Sequence, residues 1–172
     1  MTRSFWRGIH LGLSHDSDVD RLIGELPALA DMGLNVLMVE VNYGFAYESH
    51  PELRGPDPIT RAGAARLVAA CRARGIRLIP QFQCLGHQSW AKTTFPLLKV
   101  HPEFDETPGQ FPDNEGIYCR SWCPQHPGVN PIIFALFDEL LEAFEANGLH
   151  VGMDEVFLIG SEHCPRCKGH DP

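Results

Sequence analysis

Three times in this chain a helical pattern ends at a glycine and an alternating apolar segment follows at once. Gly33 precedes "LNVLMVEV", Gly75 precedes "IRLIPQFQ" and Gly148 precedes "LHVGMDEV". No other feature limits the fold so tightly. A glycine just past a helix accepts the left-handed conformation that closes it. "RGIHLGL" at 7–13 supplies a further strand ahead of the first helix, so the order reads β-α-β-α-β-α-β. Strands joined by crossover helices lie parallel, and the chain is predicted to be α/β.

The helices are readable in the same way. Ser17 with Asp20 three residues on predicts a capping box, followed by Leu22, Ile23, Leu26 and Leu29 at helical spacing. Pro27 inside that stretch predicts a kink or a break. Thr60 is placed to cap a second helix carrying Leu67, Val68 and Cys71. Asn130-Pro131 opens a third, with Ile133, Phe134, Phe137, Leu140, Leu141 and Phe144 on one stripe.

The strands carry a second message. A strand buried on both faces of an open sheet reads as nearly continuous Val, Ile and Leu. Here Ile9, Leu11 and Leu13 alternate with His10, Gly12 and Ser14, and Leu37, Val39 and Val41 with Met38, Glu40 and Asn42. Ile76, Leu78, Pro80 and Phe82 alternate with Arg77, Ile79, Gln81 and Gln83, and Leu149, Val151 and Met153 with His150, Gly152 and Asp154. One face packs under helices while the other turns polar toward the carboxyl end. A sheet curled into a barrel of the TIM type explains this, because its inward face becomes the floor of a polar pocket. A sheet with one solvated face is the alternative, and it fits crossover helices badly.

Between about Leu85 and Gly128 the rhythm breaks, with Pro96, Pro102, Pro108, Pro112, Pro124 and Pro127 and little periodicity. A long segment at the carboxyl end of a strand is where parallel α/β folds bind ligands. At 172 residues the chain is long enough for one good core and short for two. The formal charge of −8 argues against nucleic-acid and anionic-membrane partners. No run of 18 apolar residues is present to cross a membrane. The N-terminus lacks a secretion pattern, so the six cysteines read as mostly reduced thiols of a cytoplasmic chain.

Asp154 and Glu155 end the fourth strand, where barrel enzymes place catalytic groups, although an acidic pair also caps helices. Adjacent strand residues point to opposite faces, so both reach one substrate only if the strand ends near them. Gly86-His87 follows the third strand and supplies an imidazole able to orient a carboxylate. Arg7 offers donors suited to hydroxyls, and Glu40 and His150 stand on the polar face as further candidates for substrate contact. "HCPRCKGH" at 163–170 and "CRSWC" at 119–123 raise a different possibility, a zinc site made by Cys119, Cys123, Cys164 and Cys167. Ordinary reduced thiols and a thiol-redox module are the competing readings of the same residues.

Taken together, "LHVGMDEVFLIG", "IPQFQCLGHQSW", "NVLMVEVNYGFAYE" and "RGIHL" resemble the catalytic barrel of the family-20 glycoside hydrolases, the β-N-acetylhexosaminidases. The likeness is strongest to the intracellular hexosaminidase D type and runs from about Arg7 to Gly160. Gly12, Met153 and Tyr43 depart from residues common in the family, which bears on substrate preference. The resemblance implies a (β/α)8 barrel of which residues 1–172 supply about the first four units, the N-terminal half. It implies retaining, substrate-assisted hydrolysis of terminal N-acetyl-β-hexosamine from a glycan or glycoconjugate, with no cofactor. Glu155 would be the general acid and Asp154 would hold the 2-acetamido N–H. His87 would tune Glu155, and Arg7 would grip sugar hydroxyls. A non-catalytic carbohydrate-binding barrel remnant and a small zinc or thiol module are the alternatives. Half a barrel leaves open sheet edges, so poor activity and self-association of the isolated chain are expected.

Overall fold

β1 (Gly8–Gly12), β2 (Val36–Glu40) and β3 (Arg77–Gln81) lie side by side in the order β1-β2-β3 and are parallel. Gly8 pairs with Val36 and Val36 with Arg77, so Gly12, Glu40 and Gln81 share the carboxyl edge. These features come from a computed structural model that describes residues 5–170. The crossovers are α1 (Asp16–Asp31) and α2 (Arg61–Arg72), as the helix-glycine-strand order requires. Gly33 and Gly75 both take the left-handed conformation, with φ of 86° and 64°.

Local details differ from the sequence reading for identifiable reasons. α1 is capped at His15, upstream of Ser17, because Asp18 Oδ2 accepts the amides of Ser14 (3.1 Å) and His15 (3.2 Å). Asp20, the expected partner of Ser17, instead meets Arg66 at 2.9 Å. Pro27 does not break α1: it lies on the exposed face while Val19, Leu22 and Leu26 bury the other. Packing of that face overrides the local proline penalty. Thr60 caps α2 as expected, accepting the Gly63 amide at 3.0 Å.

The expected fourth strand shrinks to one residue. His150 forms a parallel bridge with Gln81, its amide on the Pro80 carbonyl (2.9 Å) and its carbonyl accepting from Phe82 (3.1 Å). Extended structure ends there because Gly152 turns left-handed at φ 44° and Glu155 does so at φ 52°. The third long helix, α4 (Val129–Ala143), closes through Glu145 at φ 45°, and Gly148 is not left-handed. Its buried stripe is Ile133, Leu136, Leu140 and Phe144, whereas Phe134, expected inside, is 56 % exposed. Glu139 is buried on this helix, where its Oε2 accepts the Glu48 amide at 2.7 Å.

The proline-rich stretch is more structured than its periodicity suggests. It holds a two-residue ladder, β4 (Ser89–Trp90) with β5 (Thr93–Thr94), then α3 (Pro96–Val100). Single turns of 3-10 helix follow at Pro102–Phe104 and Pro112–Asn114. Pro96, Pro102 and Pro112 each open a turn, where a missing N–H costs nothing. Arg120 fastens the stretch from inside. Its guanidinium meets the Asp105 carboxylate, Asn114 Oδ1 (2.6 Å) and the carbonyls of Gln110 (2.9 Å) and Phe111 (2.7 Å).

Where one core was expected, the chain forms two compact units. One comprises residues up to Glu48, Arg54–Phe82 and Phe137–His150, and holds the three-stranded sheet. Its core includes Val19 and Leu26 of α1, Leu37 and Val39 of β2, and Leu67 of α2. The other comprises Ser49–Leu53, Gln83–Leu136 and the residues from Val151 onward, around Leu53, Leu97, Phe104 and Trp122. Among the described residues no helix is long and apolar enough to cross a membrane. All six cysteines are buried free thiols.

Candidate active site

The chain leaves β3 through Gln83 and Cys84 and then turns sharply, with Leu85 at φ 61° and His87 at φ 52°. The Cys84 amide donates to the Val151 carbonyl at 3.0 Å, which lays the 151–155 segment beside this turn. Gly86 permits the contact: a Cβ there would lie 3.3 Å from both the Glu155 carbonyl oxygen and a Val156 methyl. The His87 amide in turn donates to Cys119 Sγ at 3.3 Å.

This framework gathers the expected acid-base residues of the second unit. His87 Nε2 lies 3.3 Å from Glu155 Oε2 and 3.7 Å from Asp154 Oδ2. Nε2 is buried, and its alignment is not that of a hydrogen bond. Gln83 Nε2 donates to Asp154 Oδ1 at 2.8 Å. The left-handed turn at Glu155 matters most here. In an unbroken strand the two carboxylates would point to opposite faces; the turn brings both to the same imidazole.

Each carboxylate therefore has a partner of its own. Asp154 has the Gln83 amide, while the Glu155 carboxylate, beside Tyr118, holds that phenol above its ordinary range. The Tyr118 ring stands edge-on to those of His87 (5.9 Å between centroids), Trp90 (5.9 Å) and Phe157 (5.6 Å). Trp90, Tyr118 and Phe157 are all substantially exposed, and the Asp154 and Glu155 side chains are 65 % and 47 % exposed. Two solvent-reaching carboxylates beside an exposed aromatic row suit a ligand with both hydroxyls and apolar faces.

Of the other expected residues, Arg7, Glu40 and His150 belong to the first unit. Arg7 lies at the amino end of β1 in the first unit, with Nε donating to the Gly33 carbonyl at 2.5 Å. A guanidinium so engaged is tying down the α1-β2 turn, a structural task the sequence does not reveal. Glu40 belongs to the same unit and collects His10 Nε2 (3.2 Å), Asn42 Nδ2 (2.7 Å) and Gln81 Nε2 (3.3 Å). His150 is the bridge residue of that unit. Cys119, expected among zinc ligands, instead touches the acid-base cluster, its Sγ 3.7 Å from the Glu155 carbonyl. Among the described residues two groups bring metal-ligand atoms together: His87, Asp154 and Glu155, and separately Glu106, Cys123, Cys164 and Cys167.

The family description "Glycosyl hydrolase family 20, catalytic domain" matches residues 6–170. The chain belongs to glycosyl hydrolase family 20. A β-hexosaminidase of Akkermansia muciniphila is 31 % identical over 109 residues, which are 63 % of this chain and 22 % of that protein. A β-N-acetylhexosaminidase of Cellulomonas fimi is 27 % identical over 191 aligned positions, 98 % of this chain and 36 % of that one. Among solved structures, the chitobiase of Flavobacterium johnsoniae superposes with a TM-score of 0.72 at 27 % identity, over 90 % of this chain and 24 % of that chain. The chain thus spans 22 % and 36 % of the two curated relatives. Its three-stranded parallel sheet is a partial α/β domain of a TIM-barrel family.

Tyr118 and Trp90 are the site residues the sequence reading passed over. Both lie in the proline-rich stretch, where no period marks one side chain above another. Their signal was positional: an aromatic directly before "CRSWC", and another three residues after His87.

Proposed function

We propose that this chain carries the acid and the acetamido-orienting carboxylate of a β-N-acetylhexosaminidase, which releases terminal N-acetyl-β-D-hexosamine with retention. The observation that carries the reading is the unequal partnering of adjacent carboxylates around His87. Asp154, held through Oδ1 by Gln83, accepts the acetamido N–H. Held in that way, the substrate's own carbonyl oxygen attacks the anomeric carbon, and no enzyme nucleophile is needed. Glu155 protonates the departing glycosidic oxygen and later takes the proton of the incoming water. His87 and Tyr118 keep its carboxyl oriented through that exchange, and Trp90 and Phe157 offer rings to a sugar face.

The test uses the enzyme containing this segment and compares two N-acetylglucosaminides, one with a nitrophenyl leaving group and one with an alkyl leaving group. Glu155→Gln should lower turnover of the alkyl substrate by roughly 10²–10⁴, the usual worth of a positioned general acid. The nitrophenyl substrate, which needs less protonation to depart, should lose less. Asp154→Asn should lower both. Near-wild-type turnover of the alkyl substrate by Glu155→Gln would remove that residue from the acid role. Sugar binding without turnover in the wild-type enzyme would favour a carbohydrate-binding barrel instead.

A further inference from the structure

We propose that Glu106, Cys123, Cys164 and Cys167 form a closed site for one structural zinc ion. The ligand atoms of these four residues all lie within 4.8 Å of one another, and all four side chains are buried. Cys123 and Cys167 Sγ are 3.3 Å apart, too far for a disulfide and close enough to face one cation. The Cys167 amide donates to Cys164 Sγ at 3.3 Å, which fixes the two sulfurs of this turn close together. Cys123 and Cys164 are each followed by proline, which presets the first φ of a tight turn.

The bland reading is that buried cysteines simply pack as small hydrophobes. It fails on Glu106. This residue is 0 % exposed; its Oε1 accepts the Ser161 amide at 3.0 Å, while its Oε2 makes no hydrogen bond and is directed among the thiols. A buried carboxylate oxygen with no donor is costly, and three thiols are poor donors to it. A cation removes the penalty. A redox pair explains two sulfurs and leaves the third thiol and the carboxylate unaccounted for. Three sulfurs with one carboxylate oxygen match the tetrahedral preference of zinc, and four protein ligands leave no open position for catalysis. His126, three residues after Cys123, is outside the set: its ring lies tilted against Phe104, 4.5 Å between centroids, and its Nδ1 accepts the Gly128 amide at 3.1 Å.

The placement suggests what the ion does. Backbone bonds from Glu106 to Ser121 (3.0 Å) and from Cys123 to Phe104 (2.7 Å) fasten two of the ligand segments together. The other two ligands lie in a stretch, 161–170, that has no helix or strand. That stretch follows the Asp154-Glu155 pair, and a zinc ion would staple it to the proline-rich segment that carries Tyr118. Binding energy at such a site is folding energy, so removing the metal loosens the fold.

The proposal does not depend on the glycosidase reading, and its test needs no activity. Protein purified under reducing conditions after expression with zinc should contain about one zinc per chain by elemental analysis. Cys164→Ser, Cys167→Ser and Glu106→Gln should each lose most of it, while Cys71→Ser and Cys119→Ser should keep it. Should the ligand variants fail to fold, two measurements on the wild type decide. Cobalt(II) added to chelated protein should give intense thiolate-to-metal charge-transfer absorption. X-ray absorption of the zinc form should fit three sulfurs at about 2.3 Å and one oxygen at about 2.0–2.2 Å. A protein without zinc that gives no cobalt charge-transfer band would overturn the site. So would a Cys123–Cys167 disulfide in the purified chain, or zinc loss on Cys119→Ser.

Discussion

Arg120→Met should cost the second unit about 3–5 kcal/mol, the usual penalty for removing one member of a buried ion pair. The side chains of Arg120 and Asp105 are each 10 % exposed, so water cannot readily replace the guanidinium. Three further acceptors lose a charged donor: Asn114 Oδ1 and the carbonyls of Gln110 and Phe111. Hydrogen bonds to a charged group contribute about 1.5–3 kcal/mol each, so a plain sum would exceed that range. Partial rewetting of Gln110 and Phe111 at the margin of the segment brings it back. The same arginine restrains Phe111, Asp113 and Asn114, whose φ values of 54°, 53° and 60° are strained for residues with side chains. The control is Arg72→Met. Its pair with Glu145 is short at 2.6 Å, yet the side chains are 67 % and 55 % exposed, so the loss should be about 0–1 kcal/mol. Urea unfolding followed through the buried Trp122 reads the second unit, and circular dichroism reads the chain as a whole. The reasoning is wrong if Arg120→Met costs no more than Arg72→Met.

Burial raises the Cys84 thiol to about 12 and the Cys71 thiol to about 11, so both should resist alkylation at pH 8 in the native chain and react fully in urea. The folded state keeps these protons after the unfolded chain has released them near pH 9, so their contribution is complete below that pH and is lost toward pH 11–12, visible as a falling urea midpoint. The outer edge of β1 is unpaired among the described residues, beside an apolar groove lined by Ile9, Leu11, Leu13, Leu22 and Leu29. Residues 1–172 alone should therefore associate and hydrolyse hexosaminides poorly; a well-behaved monomer in size-exclusion chromatography with robust turnover would refute both expectations.

Much of the architecture was legible because its causes are local. The glycines at 33 and 75, the Thr60 cap and the alternation of β1 and, from Leu37, of β2 each act within a few residues and appear as read, whereas β3 buries Ile79, Pro80 and Gln81 in succession. The Asp154-Glu155 pair and His87 were legible as candidate chemistry because carboxylates and an imidazole at strand ends have few structural uses there. What the chain could not announce depended on partners distant in sequence. At the start of α1, Asp16 is held by the Thr60 hydroxyl at 2.8 Å, a partner 44 residues away. Arg7 Nε donates to the Gly33 carbonyl, a partner 26 residues away. Cys119 looked like the fourth metal ligand, but its sulfur meets the amide of His87, and the carboxylate that joins the other three thiols comes from Glu106. Residue type and short-range spacing thus determined which groups are available. Only the tertiary structure decided which of them meet, because a left-handed turn at Glu155 and the buried grip of Arg120 fix directions in space that no periodicity encodes.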